Sequence, residues 1–152
     1  MLSRQPLLTL ERTKCAAAPG LARGVYVLAD APDGNPEVIL IASGSEVSLA
    51  VNAHETLIAE GIRSRVVSMP SWEIFDHQSQ DYRDSVLPLA VKARVAIEPA
   101  STFGWERYTG ASGQIIGMKT FGALAPLKEL QRKLGFEPER VVAAAKELLG
   151  RP

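Results

Sequence analysis

The fold is decided by residues 37–69, which read EVILIASGSEVSLAVNAHETLIAEGIRSRVVSM. Five consecutive apolar residues at 38–42, three of them β-branched, predict a central strand that is covered on both faces. Apolar residues then recur at the helical period as far as Gly61, a residue suited to ending a helix. Residues 65–69 predict a second buried strand. A strand, a helix and a strand in this order form a right-handed crossover, which predicts a parallel sheet.

Further strands and helices extend this unit in both directions. The other predicted strands are residues 25–28, 92–98 and 114–118. The other predicted helical segments are residues 71–75, 80–87, 103–108, 125–134 and 138–149. A dense cluster of turn residues at 30–36 suggests a hairpin that places the first strand antiparallel to the strand at 37–42, at the sheet edge. We therefore expect an α/β fold, a three-layer sandwich with about five mostly parallel strands, one antiparallel edge strand and helices on both faces.

The chain divides into an arm and one domain. Its 152 residues suit a single domain with its own apolar core. Residues 1–23 contain prolines and short apolar pieces without a clear period, so they predict an extended arm or linker rather than part of the core. Regular structure is expected within residues 24–152, which form the α/β domain.

Charge and composition exclude several classes of function. Lys plus Arg equals Asp plus Glu, 17 of each, so nothing in the net charge favours nucleic acid or anionic lipid. The single cysteine, Cys15, excludes an intrachain disulfide and a zinc site with four thiolates. The start of the chain lacks the apolar stretch of a signal peptide, and no window holds the roughly 18 apolar residues of a membrane span. We expect a cytoplasmic protein that binds neither nucleic acid nor membrane.

One loop lies where open α/β sheets bind ligands, beyond the carboxyl end of a strand. Ser43, Gly44 and Ser45 precede a helix, whose free N–H groups and dipole could hold an anionic effector. Ser43 and Glu46 also have the spacing of a capping box. We favour the cap, because the additional glycines or lysine of the phosphate-binding fingerprints are missing.

Other polar and aromatic residues have simpler interpretations. Glu98 ends a buried strand, and we favour a structural role over a general acid or base. Its partner would be an arginine, for which Arg107 is a nearby candidate, or a backbone N–H cap. His54 and His77 lack a second metal ligand at a suitable spacing, so we interpret them as surface or packing residues. Six aromatic residues either form a docking surface or fill the core around the short helices: Trp72, Phe75, Tyr82, Phe103, Trp105 and Tyr108.

Five segments of the chain resemble transketolase and follow the order of that family. They are SRQPL at 3–7, ASGSEV at 42–47, RVVSMP at 65–70, YRDSVLP at 82–88 and TFGALAP at 120–126. Pro6 stands where the family usually has Asn, and Leu124 stands where it usually has Ser. By this resemblance, the chain corresponds to the C-terminal domain of transketolase, preceded by the last residues of the middle, pyrimidine-binding domain.

The resemblance implies an enzyme of the pentose phosphate pathway that transfers a two-carbon ketol unit between sugar phosphates. Its cofactors would be thiamine diphosphate and a divalent cation, Mg²⁺ or Ca²⁺. The family's active site forms at a homodimer interface between the first two domains, so this chain alone is expected to be inactive, without catalytic residues, bound cofactor or metal. Together with the remaining transketolase domains, it would serve in packing, dimer support or regulation.

One site residue follows from the same resemblance. Arg4 matches the arginine that binds the substrate phosphate in the family, a task that suits the bidentate geometry of a guanidinium. Related thiamine enzymes share this type of domain, but the segments at 65–70 and 82–88 favour transketolase over them. The alternative function is a free-standing α/β module that binds an anionic effector at Ser43, Gly44 and Ser45, or docks on a protein partner.

Overall fold

The sheet has the predicted mixture of strand directions. In a computed structural model, residues 9–11, 13, 15–118, 132 and 134–152 are described. Their strands are β1 (Tyr26–Ala29), β2 (Val38–Ala42), β3 (Ser64–Ser68), β4 (Ala93–Ser101) and β5 (Gln114–Met118). The strand order is β1-β3-β2-β4-β5, with β1 antiparallel to β3 and the other neighbours parallel. The mostly parallel sheet with one antiparallel edge strand is therefore confirmed.

The predicted hairpin between β1 and β2 is wrong. β1 pairs with β3 instead, where Tyr26 faces Ser68 and Val27 faces Val67. β2 lies between β3 and β4, and all five of its residues are buried. A strand that is apolar on both faces needs neighbours and covering helices on every side, which only a central position provides. The chain between β1 and β2 therefore crosses past the position of β3 instead of closing a tight hairpin.

Helices cover both faces of the sheet. The described α-helices are α1 (Val47–Ala59), α2 (Trp72–Asp76), α3 (Gln80–Val86), α4 (Glu106–Thr109) and α5 (Pro138–Leu148), with 3-10 turns at Ala18–Arg23 and Gly44–Glu46. The helix predicted at 125–134 falls almost entirely outside the described residues. No helix in the described ranges is both long and apolar enough to cross a bilayer.

The alternation of side chains along β2 separates two cores. Leu40 packs in the cluster that includes residues of α1 and α5, whereas Ile39 and Ile41 pack in the cluster that includes residues of α2, α3 and α4. Successive strand residues point to opposite faces, so one apolar strand supplies both cores. The predicted three-layer arrangement is confirmed.

The described part of the arm lies against the domain. Cys15 is only 6% exposed and belongs to the core cluster of α1 and α5. The N–H of Ala16 donates to the carbonyl of Leu28 over 2.7 Å. The guanidinium of Arg23 lies 4.6 Å from the centre of the Tyr82 ring, a cation–π contact. The expectation that the arm stays outside the core is therefore wrong for Cys15, because a cysteine side chain packs as a small apolar group.

Candidate functional site

The loop between β2 and α1 brings two serine hydroxyls to two carboxylates. Ser43 Oγ donates to Glu98 Oε2 over 2.6 Å, which joins the end of β2 to β4. Ser45 Oγ lies 2.8 Å and 2.9 Å from the two carboxylate oxygens of Glu46. We call these four residues the Ser–Glu cluster. It lies at the carboxyl end of β2 and beside the adjoining part of the parallel strand β4, where the sequence placed its candidate site.

The predicted capping box is absent from this loop. The Ser43 side chain accepts no hydrogen bond from the helix, and the Glu46 side chain is bonded to Ser45. The competing acceptor explains the difference, because a hydrogen bond to the carboxylate of Glu98 is stronger than a bond between neutral groups. The expected pair of Glu98 with Arg107 is also wrong, since the Arg107 guanidinium lies 2.9 Å from the carboxylate of Asp76.

Burial shifts the pKa of one carboxyl group in the cluster, that of Glu46. Glu46 is only 6% exposed. Burial raises the pKa of Glu46 above its ordinary value, and the charge of Glu98 adds to this, while hydrogen bonds from Ser45 and from its own backbone act in the opposite direction. Two neighbouring carboxylates disfavour a further negative charge. Anion binding at Ser43, Gly44 and Ser45 therefore stays a prediction, and any such binding is expected to strengthen as Glu46 gains a proton.

The described bonds of this cluster hold elements of the domain together. The bond from Ser43 to Glu98 joins two strands, and Ser48 Oγ donates to the Ser45 carbonyl at the start of α1. Chemically, the two carboxyl groups accept hydrogen bonds, and the raised pKa of Glu46 favours its uptake of a proton. In the residues that the structure describes, no group of three or more His, Cys, Asp or Glu side chains is placed to hold a metal ion.

Glu46→Gln is expected to stabilise the folded chain by about 1 kcal/mol at pH 7, since the neutral amide avoids the burial cost of a charged carboxylate. Because the folded state has the higher pKa, it binds more protons, and wild-type stability falls as pH rises through that pKa. The gain should therefore vanish below the ordinary pKa of a glutamate. Urea unfolding at neutral and acid pH measures it, with exposed Glu106→Gln as control. The same pH dependence in both variants would contradict the raised pKa.

The histidines form local polar contacts. Nδ1 of His54 lies 2.7 Å from Ser64 Oγ, and His54 also lines an open, mostly apolar groove of about 490 Å³ beside α1. Burial lowers the pKa of His54, while the negative charges of Glu55 and Asp30 act in the opposite direction. Nδ1 of His77 lies 2.6 Å from the Glu73 carbonyl at the end of α2. These contacts agree with packing and surface roles.

The aromatic residues mainly fill the core. Trp105, Tyr108 and Phe75 are at most 5% exposed, and the rings of Trp72 and Trp105 meet edge to face at 5.2 Å. Phe103 differs, because it is 86% exposed. Of the two interpretations left open by the sequence, core packing therefore holds for the buried members.

The comparisons with known proteins agree with these observations. A sequence model of the transketolase-like C-terminal domain matches residues 24–137. The chain belongs to this family. It is 54% identical over 149 residues to transketolase 1 of Escherichia coli, covering 98% of this chain and 22% of that protein. It is 48% identical over 151 residues to the transketolase of Geobacillus stearothermophilus, covering 99% of this chain and 23% of that protein. The chain thus spans less than a quarter of the length of these relatives.

Solved transketolases share the architecture of this transketolase domain. The enzyme of Leishmania mexicana is 44% identical with a TM-score of 0.79, over 87% of this chain and 19% of that one. A Pichia stipitis transketolase in complex with sedoheptulose-7-phosphate is 37% identical with a TM-score of 0.79, over 91% of this chain and 20% of that one. The assignment as a transketolase C-terminal domain, made from sequence segments, is confirmed.

Two of the segments that carried the resemblance lie outside the described residues. Arg4 is in the first of these, and the segment at 120–126 is the second. The pairing of Ser43 with Glu98 was missed, although both were predicted to end strands. Polar residues at the ends of two parallel strands were the signal that could have found it, because neighbouring parallel strands end at the same edge of a sheet.

Proposed function

We propose that this chain acts within a complete transketolase that transfers a two-carbon ketol unit between sugar phosphates of the pentose phosphate pathway. The supporting observation is the 54% identity to transketolase 1 of Escherichia coli, which runs along 98% of this chain but only 22% of that protein. In this arrangement the domain contributes packing, dimer support or regulation, and it is inactive alone. The free-standing binding module has no observation of comparable weight in its favour.

We further propose that the cofactors bind on the remaining domains of a cytoplasmic homodimer. Thiamine diphosphate supplies the carbanion stabilisation that ketol transfer requires, and Mg²⁺ or Ca²⁺ accompanies its diphosphate. The described residues offer no fitting set of metal ligands, so no step of the reaction is assigned to them. The complex of the Pichia stipitis relative with sedoheptulose-7-phosphate supports sugar phosphates as the substrates.

We propose Arg4 as the contact to the substrate phosphate, on the segment at 3–7 that resembles the family's phosphate-binding segment. A guanidinium binds phosphate oxygens through two parallel charge-assisted bonds. In the complete enzyme, Arg4→Ala is expected to raise KM for phosphorylated substrates by about ten- to a hundredfold, because bonds to charged groups contribute about 1.5–3 kcal/mol. Ketol transfer between a ketose phosphate and an aldose phosphate measures this effect.

The matched control is Arg23→Ala on the same arm, because the Arg23 side chain lies on the Tyr82 ring. This control is expected to leave KM unchanged. An unchanged KM in the Arg4 variant would reject the assignment of Arg4 alone. The wider proposal is tested by the unaltered chain, for which we expect no ketol transfer and no heat of binding with thiamine diphosphate and magnesium. Turnover or micromolar binding by this chain would reject it.

A further inference from the structure

A small polar pocket lies on the helical face formed by α2, α3 and α4. Its volume is about 220 Å³, and it is lined by three arginines and two aspartates among other residues: Asp76, Arg83, Asp84, Arg94 and Arg107. The three guanidiniums exceed the two carboxylates by one positive charge. Arg94 precedes Glu98 by four residues on β4, which separates the pocket from the Ser–Glu cluster by on the order of 13 Å along the strand. We call it the arginine pocket.

Arg83 lines the arginine pocket with a guanidinium that is only partly hydrogen-bonded. Its Nε is buried without a hydrogen-bond partner, a condition found at no other side-chain atom of the described residues. Nη2 donates to Gln80 Oε1 over 2.7 Å, but Nη1 reaches the Asp76 carbonyl only at 3.5 Å. A buried donor without an acceptor costs about 1–3 kcal/mol. Within the described part of the chain, the Nη groups form only these two bonds between them, so they retain N–H donors for an acceptor oxygen bound in the pocket.

Arg94 supplies a positive charge that the described residues do not neutralise. Its guanidinium donates to four backbone carbonyls, those of Leu87, Pro88, Val91 and Tyr108. These bonds fix its orientation, yet every one of these acceptors is neutral. Burial lowers the pKa of Arg94, but a guanidinium keeps its proton in proteins. The wall of the pocket therefore holds a rigid cation without a described carboxylate partner.

The outer side of the pocket is adjustable. Arg107 is 58% exposed along its side chain and uses Nη2 for its bond to Asp76. The same Asp76 carboxylate accepts a hydrogen bond from the Tyr108 hydroxyl over 3.2 Å. Burial and the charge of Asp76 raise the pKa of Tyr108 to about 12, so this hydroxyl remains a donor at neutral pH. Asp76 keeps one partner if Arg107 turns toward a ligand.

We propose that the arginine pocket binds the phosphoryl group of a small molecule, with Arg83, Arg94 and Arg107 as its ligands. Three guanidiniums in a fixed fork geometry suit the oxygens of a phosphate. The pocket of about 220 Å³ is smaller than the roughly 300–1,000 Å³ of sites for drug-sized ligands, so a phosphoryl group fits better than a whole nucleotide. This site is separate from Arg4 and does not depend on the proposed ketol transfer.

Titration of the 152-residue chain with inorganic phosphate and with glycerol phosphate tests the proposal. Amide chemical shifts are expected to change saturably at α3, α4 and the start of β4, whereas uncharged glycerol causes no such change. Saturation with both anions identifies the phosphoryl group as the recognised chemistry. Saturation with glycerol phosphate alone also supports the site, and identifies a phosphate ester as its occupant.

Variants separate a built site from general charge attraction. Arg83→Gln and Arg107→Gln are each expected to weaken binding at least about tenfold, as loss of a charged hydrogen bond predicts. The matched control is Arg63→Gln, which removes an exposed arginine paired with Asp33 and Glu37 on another part of the surface and should leave affinity unchanged. Arg94 is left intact, because its bonds to four carbonyls make its loss a risk to folding.

Three outcomes would overturn the proposal. The first is the absence of a saturable shift change with either anion. The second is equal weakening by the control substitution at Arg63, which would indicate nonspecific attraction. The third is a set of chemical-shift changes confined to the Ser43–Glu46 loop, which would show that the anion binds at the other end of the sheet. Circular dichroism of each variant verifies that the fold is retained.

Discussion

Arg65→Met is expected to reduce the free energy of unfolding by about 3 kcal/mol, because it breaks a buried ionic network. Arg65 lies on β3 and is only 6% exposed. Its Nε and Nη2 each donate to a different carboxylate oxygen of Asp30 over 2.8 Å, in the bidentate arrangement that favours arginine. The remaining described bonds go to the carbonyls of Gly34, Ser85 and Val86.

Loss of this guanidinium leaves several acceptors without their donor. The methionine chain preserves most of the apolar contact, so the measured change reports on the lost hydrogen bonds and charge. Asp30 is 35% exposed along its side chain, and water can therefore compensate part of the loss at the carboxylate. For this reason we expect about 3 kcal/mol, the lower end of the range for breaking a buried pair.

Urea unfolding at neutral pH measures the effect, and Arg63→Met is the matched control. Arg63 is two residues away and pairs with Asp33 and Glu37, but its side chain is 48% exposed. Such a surface pair contributes at most about 1 kcal/mol. The comparison removes the same side chain from a buried and an exposed position. Equal losses in the two variants would contradict the role assigned to the Arg65 network.

The pairing of β1 could not be predicted from the sequence, because it involves contacts between residues that are far apart in the chain. Asp30 directly follows β1, and its partner Arg65 lies on β3, 35 residues further along the chain. Turn residues at 30–36 correctly predict that the chain bends, but turn chemistry does not identify the strand that will lie alongside. The apolar run of β2 was more informative, since burial on both faces requires a central position.

The candidate site shows a similar limit. The end of β2 was predicted as its location, and the structure places polar side chains there. The individual bonds were not predictable, because Ser43 and Glu46 have a local capping pattern, whereas the partner that Ser43 actually binds is Glu98, 55 residues away. Family membership was predictable because it rests on the order of residues, which requires no knowledge of distant contacts.

Gly24→Ala is also expected to reduce the free energy of unfolding by about 3 kcal/mol, because of backbone strain and steric overlap. Gly24 has φ of +81°, a left-handed conformation that costs other residues roughly 1–2 kcal/mol. An added Cβ would lie 2.7 Å from the backbone N of Phe75, the backbone O of Ser71 and the Cβ of Ile74. Such overpacking adds about 1–3 kcal/mol, because the start of α2 must move.

Gly34→Ala is the matched control for the conformational part of this cost. Gly34 has φ of +71°, but an added Cβ would meet no atom within 4 Å. The free energy of unfolding of the control is therefore expected to fall by about 1 kcal/mol, because it has the strain of positive φ without the steric clash. Urea unfolding of both variants separates the two contributions. Equal losses would show that α2 moves at no cost in free energy and that the close approach of Gly24 to Ser71 and Phe75 does not limit stability. A loss about 2 kcal/mol greater at Gly24 would show that its contact with the start of α2 requires glycine at this position.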